Sequence, residues 1–246
     1  MFTLEILNLG KAYQKYFTVV PALSDALKDE VYRVRHQVYC EDLAFEPLRP
    51  DRREFDDYDA HSLHLLIRSV QSGEFVGCTR LILSDLNNPG FLLPFEKACA
   101  NSLDRNIIDP SLLPRASIAE VSRLAVVSKY RRRKEDDKHS PVSLSDSDFG
   151  TPKQPRFPYI PIALYLGTVE LARIKKIRTL FILTERRLAV HFKKLGVNIQ
   201  PIGGAVEHRG ERIPSMLDVE EIITNMKPMA RPLYKVIASE VLIGSG

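Results

Sequence analysis

Glu120, Ser122 and Arg123 place a carboxylate, a hydroxyl and a guanidinium within four residues of an apolar, strand-like run, Ser117 to Val127. An isolated charge in such a strand is too costly to keep, so Glu120 and Arg123 are expected to be paired or functional. A structural ion pair is the plainer alternative, and this strand is the candidate chemical centre. A carboxylate held on an apolar strand face has its pKa raised by burial, which suits general-base work. Alternation puts Ile118, Glu120, Ser122, Leu124 and Val126 on one face and Arg123 on the other, unless a bulge re-aims them.

More charge stands where apolar residues belong. Leu27, Val31, Val34 and Val38 form a helical stripe after the capping residue Ser24, and Arg35 intrudes on it. Its head either snorkels to solvent or meets a carboxylate inside. Arg80 shares a strand face with Val76, Cys78 and Ile82. Glu54, Asp56, Asp57 and Asp59 crowd a turn-rich segment, as partners for Arg35 or as a cradle for an ammonium group. His61 and His64 are three apart, opposite faces of a strand, and with no third ligand nearby no metal site is expected.

The elements that must position these residues follow from patterning. Strands are expected at 17–20, 61–70, 75–83, 117–127, 178–183 and 197–202, with a hairpin through His208-Arg209-Gly210 returning over 212–219. Helices are expected at 24–42, 92–100, 160–174, 186–195 and 219–226, with another after Pro232. Residues 135–158, polar and without periodicity, read as a long loop insertion. The order is that of an α/β chain with a mixed central sheet, taken as one domain over residues 1–246.

Composition narrows the class. With 246 residues, 44% of them hydrophobic, the chain can bury a substantial core. A net charge of +4 gives no global field for nucleic acid, and no helix-turn-helix or interleaved aromatic pattern accompanies the basic run Arg131-Arg132-Arg133-Lys134. Three cysteines without metal-ligand spacing fit free thiols in a reducing compartment. There is neither a spanning apolar run nor a secretory signature at Met1–Glu5, so a cytoplasmic protein is expected, with at most peripheral membrane contact.

Read together, the polar positions resemble the acyl-homoserine-lactone (autoinducer) synthases. Arg35, Tyr39 and Phe45 stand at the spacing of that family's first motif, with Tyr for Phe and Phe for Trp. Glu54, Asp56 and Asp59 fit its acidic motif, Arg80 its next arginine, Phe95 its phenylalanine, and Glu120, Ser122 and Arg123 its Glu-x-Ser-Arg. The whole chain more closely resembles relatives of that family, the N-acyl amino acid synthases and the exosortase (PEP-CTERM) associated acyltransferases. Val38-Tyr39-Cys40-Glu41, His61-Ser62-Leu63-His64 and Gln200-Pro201-Ile202-Gly203 carry that likeness.

The resemblance implies a GNAT fold, and transfer of a long-chain acyl group from acyl carrier protein to the amine of a small amino acid. No bound cofactor is implied; the donor is the acyl-4'-phosphopantetheine of the carrier. Glu120 would be the base, with Ser122 and Arg123 beside it, and strand N–H groups near Ser122–Ala125 would hold the thioester oxygen. Arg35, Arg80 and Arg123 would order the acidic turn or bind the acceptor's carboxylate; Asp56 and Asp59 would recognise its ammonium or lock Arg35. Tyr39, Phe45 and Phe95 complete the substrate site. The basic run has no glycine to form the phosphate nest of CoA-using relatives, so Arg131, Arg132, Arg133 and Lys134 read as a docking patch for an acidic carrier. The rivals are a lactone-forming synthase using S-adenosylmethionine and a non-catalytic carrier-binding module.

Overall fold

The computed structural model describes residues 9–131, 150–151, 154–155, 157–193 and 195–244. Most of the expected loop insertion, together with Arg132, Arg133 and Lys134, lies outside them.

A short helix, α1 (Leu9–Gln14), leads into β1 (Phe17–Pro21). Helix α2 (Asp25–Arg35) starts at Ser24, whose hydroxyl accepts the Leu27 N–H at 3.3 Å. It continues as a π-helical segment, His36–Asp42, a widening that sequence periodicity does not announce. Strands β2 (Ser62–Ser69), β3 (Phe75–Leu83) and β4 (Ile118–Val126) form an antiparallel run. The β3–β4 connection carries the one-turn helix α3 (Pro94–Ala98). Next come α4 (Tyr159–Ile174), β5 (Thr179–Thr184) parallel to β4, and α5 (Arg186–Lys193). Two-residue strands β6 (Gln200–Pro201) and β7 (Val206–Glu207) flank β8 (Glu211–Asp218), followed by α6 (Val219–Asn225) and α7 (Arg231–Gly244). The sheet runs β1-β2-β3-β4-β5-β8-β6, with β7 also on β8.

The expectation of a strand over 197–202 is corrected: the ladder on the later strand Glu211–Asp218 covers only Gln200–Pro201, with one further hydrogen bond from the Ile202 N–H to the Pro214 carbonyl at 2.9 Å. Helix α4 is buried almost all round rather than along one stripe, because α7 covers the side turned away from the sheet. Helix α7 also closes the sheet edge. Glu240 accepts the Val19 N–H of β1 at 2.8 Å and the Tyr13 hydroxyl at 3.1 Å, so an edge amide is not left open. The three cysteines are free and buried. Among the described residues no helix is long and apolar enough to cross a membrane.

Two features shape the centre of the sheet. The β3–β4 register steps from Cys78↔Ala125 to Arg80↔Ser122, so Thr79 faces both Arg123 and Leu124: β4 has a bulge. Arg123 takes a left-handed φ of 53° there. On the other side, the β4–β5 pairing ends at Val121↔Ile182, while β5 continues on β8 as far as Thr184. Beyond that point β4 and β5 diverge, which frees backbone groups of Ser122 and its successors on that edge.

Candidate active site

The bulge overturns the simple alternation at Arg123. Left-handed backbone turns its guanidinium toward the acidic turn, where Arg80 also points, and both reach Asp56. The turn is prepared to receive them. Asp56 Oδ1 accepts the Tyr58 N–H at 3.0 Å and Asp59 Oδ2 accepts the Asp56 N–H at 2.8 Å, a reciprocal cap on the short 3-10 helix Asp57–His61. Their remaining oxygens meet arginines.

Arg35 does not snorkel; it is fully buried. Its Nε donates to Glu54 at 2.5 Å and its Nη1 to Asp59 at 2.6 Å. Arg80 Nη1 donates to Asp56 at 2.6 Å and to Asp59 at 2.9 Å, and its Nε donates to the Ser122 hydroxyl at 3.0 Å. Arg123 Nη2 reaches Glu54 at 3.0 Å and Asp56 at 3.2 Å. Three arginines and three carboxylates thus neutralise one another across α2, β3, β4 and the turn, and Ser122 is tied into the set by Arg80. Burial alone would raise the Glu54 pKa, but Arg35 and Arg123 outweigh it and hold that pKa at about 2. The same competition, settled by Arg35 and Arg80, holds Asp59 at about 2.

Glu120 has the opposite surroundings. It is 3% exposed, and its Oε2 accepts the backbone N–H of Phe95 at 2.8 Å. Burial drives its pKa up; that hydrogen bond and the more distant Arg80 and Arg123 pull it back only to about 8. Phe95 itself stacks on Phe181 with ring centroids 4.3 Å apart in a small apolar cluster with Ile82, Ile118 and Ile202.

A cavity of about 300 Å³ opens where β4 and β5 part. Of the expected site residues, Tyr39, Phe45, Asp56, Arg80, Glu120, Ser122 and Arg123 line it. Arg35, Glu54, Asp59 and the Phe95 ring are not among its walls and stand behind it. The acidic turn holds the arginines, and of its carboxylates Asp56, at 30% side-chain exposure, opens to the cavity. Apolar walls come from Ile182, Leu188 and Phe192.

Arg131 is the one member of the expected docking run among the described residues. Its guanidinium is 5% exposed and paired with Asp42 at 2.5 Å. Asp42 also accepts the Ser128 N–H and hydroxyl, both at 3.2 Å. His61 and His64 do not converge on a metal: among the described residues no group of three or more His, Cys, Asp and Glu is placed to hold one.

Among the cavity residues that went unassigned in the sequence are three polar ones from the β7–β8 hairpin, His208, Arg209 and Arg212. Arg212 pairs with Glu185 at 2.6 Å, and Arg209 pairs with Glu46. The hairpin turn was legible in His208-Arg209-Gly210; its return over the cavity was not, because strand spacing does not give the direction of a loop in space.

This architecture is a GNAT fold, an α/β domain whose mixed, mostly antiparallel sheet is flanked by helices. Residues 34–138 match the family model described as an acetyltransferase (GNAT) domain. Among solved structures, the chain is similar to the acyl-homoserine-lactone synthase LasI, at 18% identity and a TM-score of 0.56, covering 89% of this chain and 94% of that one. It is similar to MesI, a CoA-dependent acyl-homoserine lactone synthase, at 22% identity and a TM-score of 0.54, covering 88% and 94%. It is also similar to FeeM, an N-acyl amino acid synthase from uncultured soil microbes, at 15% identity and a TM-score of 0.51, covering 85% and 94%. No curated protein sequence matches the chain.

Proposed function

We propose that this protein is an N-acyltransferase that moves a long-chain acyl group from the phosphopantetheine thioester of acyl carrier protein to the amine of a small amino acid. The observation that carries the reading is Glu120, a carboxylate with a pKa near 8 on the wall of an apolar cavity at the parting of two strands. A free amino acid's amine is mostly protonated near neutral pH. In its ionised form Glu120 takes that proton, and the neutral nitrogen attacks the thioester carbon. The C–N bond forms and the C–S bond breaks, while the oxygen's developing charge is met by backbone N–H groups of β4 beyond Val121. Glu120 returns its proton to the departing thiolate, and the remaining extra proton on the attacking nitrogen passes to water as the amide forms. Ile182, Leu188 and Phe192 would receive the acyl chain.

Two features favour a carrier thioester over CoA as donor. The stretch after β4 has no glycine between Val127 and Lys134, and its Ser128 N–H already serves the Asp42 carboxylate, where a pyrophosphate would need free donors. Lys175, Lys176, Arg186 and Lys193 are exposed cations for an acidic carrier. A carrier protein and a free amino acid both belong to a cytoplasmic reaction.

The deciding experiment is mass spectrometry of lipid extracts after incubation with palmitoyl-carrier protein or palmitoyl-CoA, mixed amino acids and S-adenosylmethionine. An N-acyl amino acid formed from the carrier thioester is the expected product. A homoserine lactone would transfer the reading to the lactone-forming class. An untouched thioester, with carrier still bound, would make the protein a binding module.

A further inference from the structure

The acceptor's carboxylate needs cationic partners, and the two most buried arginines cannot serve. Arg35, which stands behind the cavity, and Arg80 are already engaged by Glu54, Asp56, Asp59 and Ser122. Arg123, which also reaches Glu54 and Asp56, shares with Arg209 a second setting at the cavity edge. Both adopt a left-handed backbone that arginine rarely takes, with φ of 53° and 56°. Their guanidinium carbons lie 5.3 Å and 5.9 Å from the centroid of the Tyr39 ring. Both also approach one oxygen, Oε1 of Glu46: Arg123 Nη2 at 3.8 Å and Arg209 Nη2 in a direct ion pair.

Glu46 is itself held by the main chain. Its N–H donates to the Tyr39 carbonyl at 3.1 Å, following the Phe45 N–H, which donates to the same oxygen at 2.8 Å. Tyr39, Arg123 and Arg209 all line the cavity that Glu120 faces. The structure therefore contains a carboxylate between two guanidinium groups at the edge of the candidate active site, and that carboxylate belongs to a loop side chain 22% exposed.

We propose that Arg209 and Arg123, with Tyr39 beneath them, form the binding site for the acceptor's α-carboxylate, and that Glu46 occupies it until the acceptor arrives. Exchange of one carboxylate for another leaves neither guanidinium uncompensated, so the swap avoids burying an unpaired charge. Arg209 then sets the requirement for an amino acid rather than a simple amine, a role unlike that of Arg35, locked behind the cavity. The inference rests on the amino-acid acceptor proposed above.

The test compares kcat/KM for an accepted amino acid with that for its decarboxylated amine, in the wild type, Arg209→Gln and Glu46→Gln. Loss of the guanidinium fork should lower the amino-acid to amine ratio at least about ten-fold in Arg209→Gln. Removal of the competing carboxylate should lower KM for the amino acid in Glu46→Gln. An unchanged ratio in Arg209→Gln, or a raised KM in Glu46→Gln, overturns the assignment. If Arg209→Gln does not fold, the direction of the Glu46→Gln KM decides alone. A wild type that acylates no amino acid overturns the acceptor reading and this site with it, whereas wild-type turnover with an unmoved ratio overturns only the site.

Discussion

Two carboxylates flank the centre of the sheet, equally withdrawn from water and opposite in chemistry. Glu54 is 2% exposed and Glu120 is 3% exposed, yet one has a pKa of about 2 and the other about 8. Burial raises both; the partners decide. Glu54 lies between the guanidinium groups of Arg35 and Arg123, whereas Glu120 has one backbone N–H and a wall of aromatic and aliphatic carbon. The region around the acidic turn is therefore an internal salt that fixes α2, β3 and β4 relative to one another. The region around Glu120 is where a proton can be taken and returned. Position on an apolar strand does not make a carboxylate reactive; the absence of a close cation does.

The strongest way to break that contrast is to remove the reactive member. Glu120→Gln keeps the shape and the Phe95 N–H contact but cannot take a proton, and turnover should fall about 10²–10⁴-fold with unchanged near-UV circular dichroism. Wild-type turnover in that variant would dismiss Glu120 as the base. The matching change on the other side is Glu54→Ala, which leaves Arg35 buried without its nearest partner. Urea unfolding should show a loss of about 3–5 kcal/mol, typical of a broken buried pair. Stability within error of the wild type would mean that the internal salt holds nothing together.

Titration sharpens the comparison, because the two groups act on stability with opposite sign. Glu54 and Asp59 have depressed folded pKa values, so their contribution is present above the ordinary carboxylate range and is lost as pH falls toward about 2. Glu120 is raised: between its ordinary value of 4.5 and about 8 the unfolded chain has released a proton that the folded one retains, so stability drains as pH rises. The stability advantage of Glu120→Gln over the wild type should therefore grow from about pH 4.5 to pH 8. Over the upper part of that window kcat/KM should rise as Glu120 ionises. A flat difference in stability between wild type and variant would show that Glu120 ionises normally.

Much of this was legible in the chain. Arg35 on an apolar stripe, four acids in one turn and a charged strand announced buried pairing, because physics leaves such residues few other fates. Strands β3 and β4 were readable almost to the residue for the same reason: their alternation and apolar content are local. What sequence did not show depends on other elements. The bulge at Arg123 is a mismatch between two strands, and the strand's own residues do not reveal it. That Glu54 and Asp59 stand behind the cavity follows from which arginines reach them. The same holds for Arg131, which reads as part of an exposed basic run until Asp42 is seen to take it inward. The amide of Phe95 reaches Glu120 and its ring stacks on Phe181, contacts between elements far apart in the chain that its own sequence neighbourhood does not show.

The smallest expected effect concerns the apolar side of the comparison. If the acyl chain enters between β4 and β5, its far end must lie among Ile182, Leu188 and Phe192. Leu188→Phe adds volume to that wall from α5, where the neighbouring surface is only half-buried and the helix can adjust, so the stability cost should stay below about 1.5 kcal/mol. A filled end rejects the longest chains first, because each methylene denied a place in an apolar pocket is worth about 1–3 kcal/mol at most. The ratio of kcat/KM for a long acyl donor to that for one two carbons shorter should fall about ten-fold, with kcat for the shorter donor little changed. Because Glu120 and the arginine lock are untouched, a uniform fall across all chain lengths would mean that the substitution distorts the reacting centre. An unaltered preference would mean that the chain does not run along α5, and that the parting of β4 and β5 admits only the thioester head.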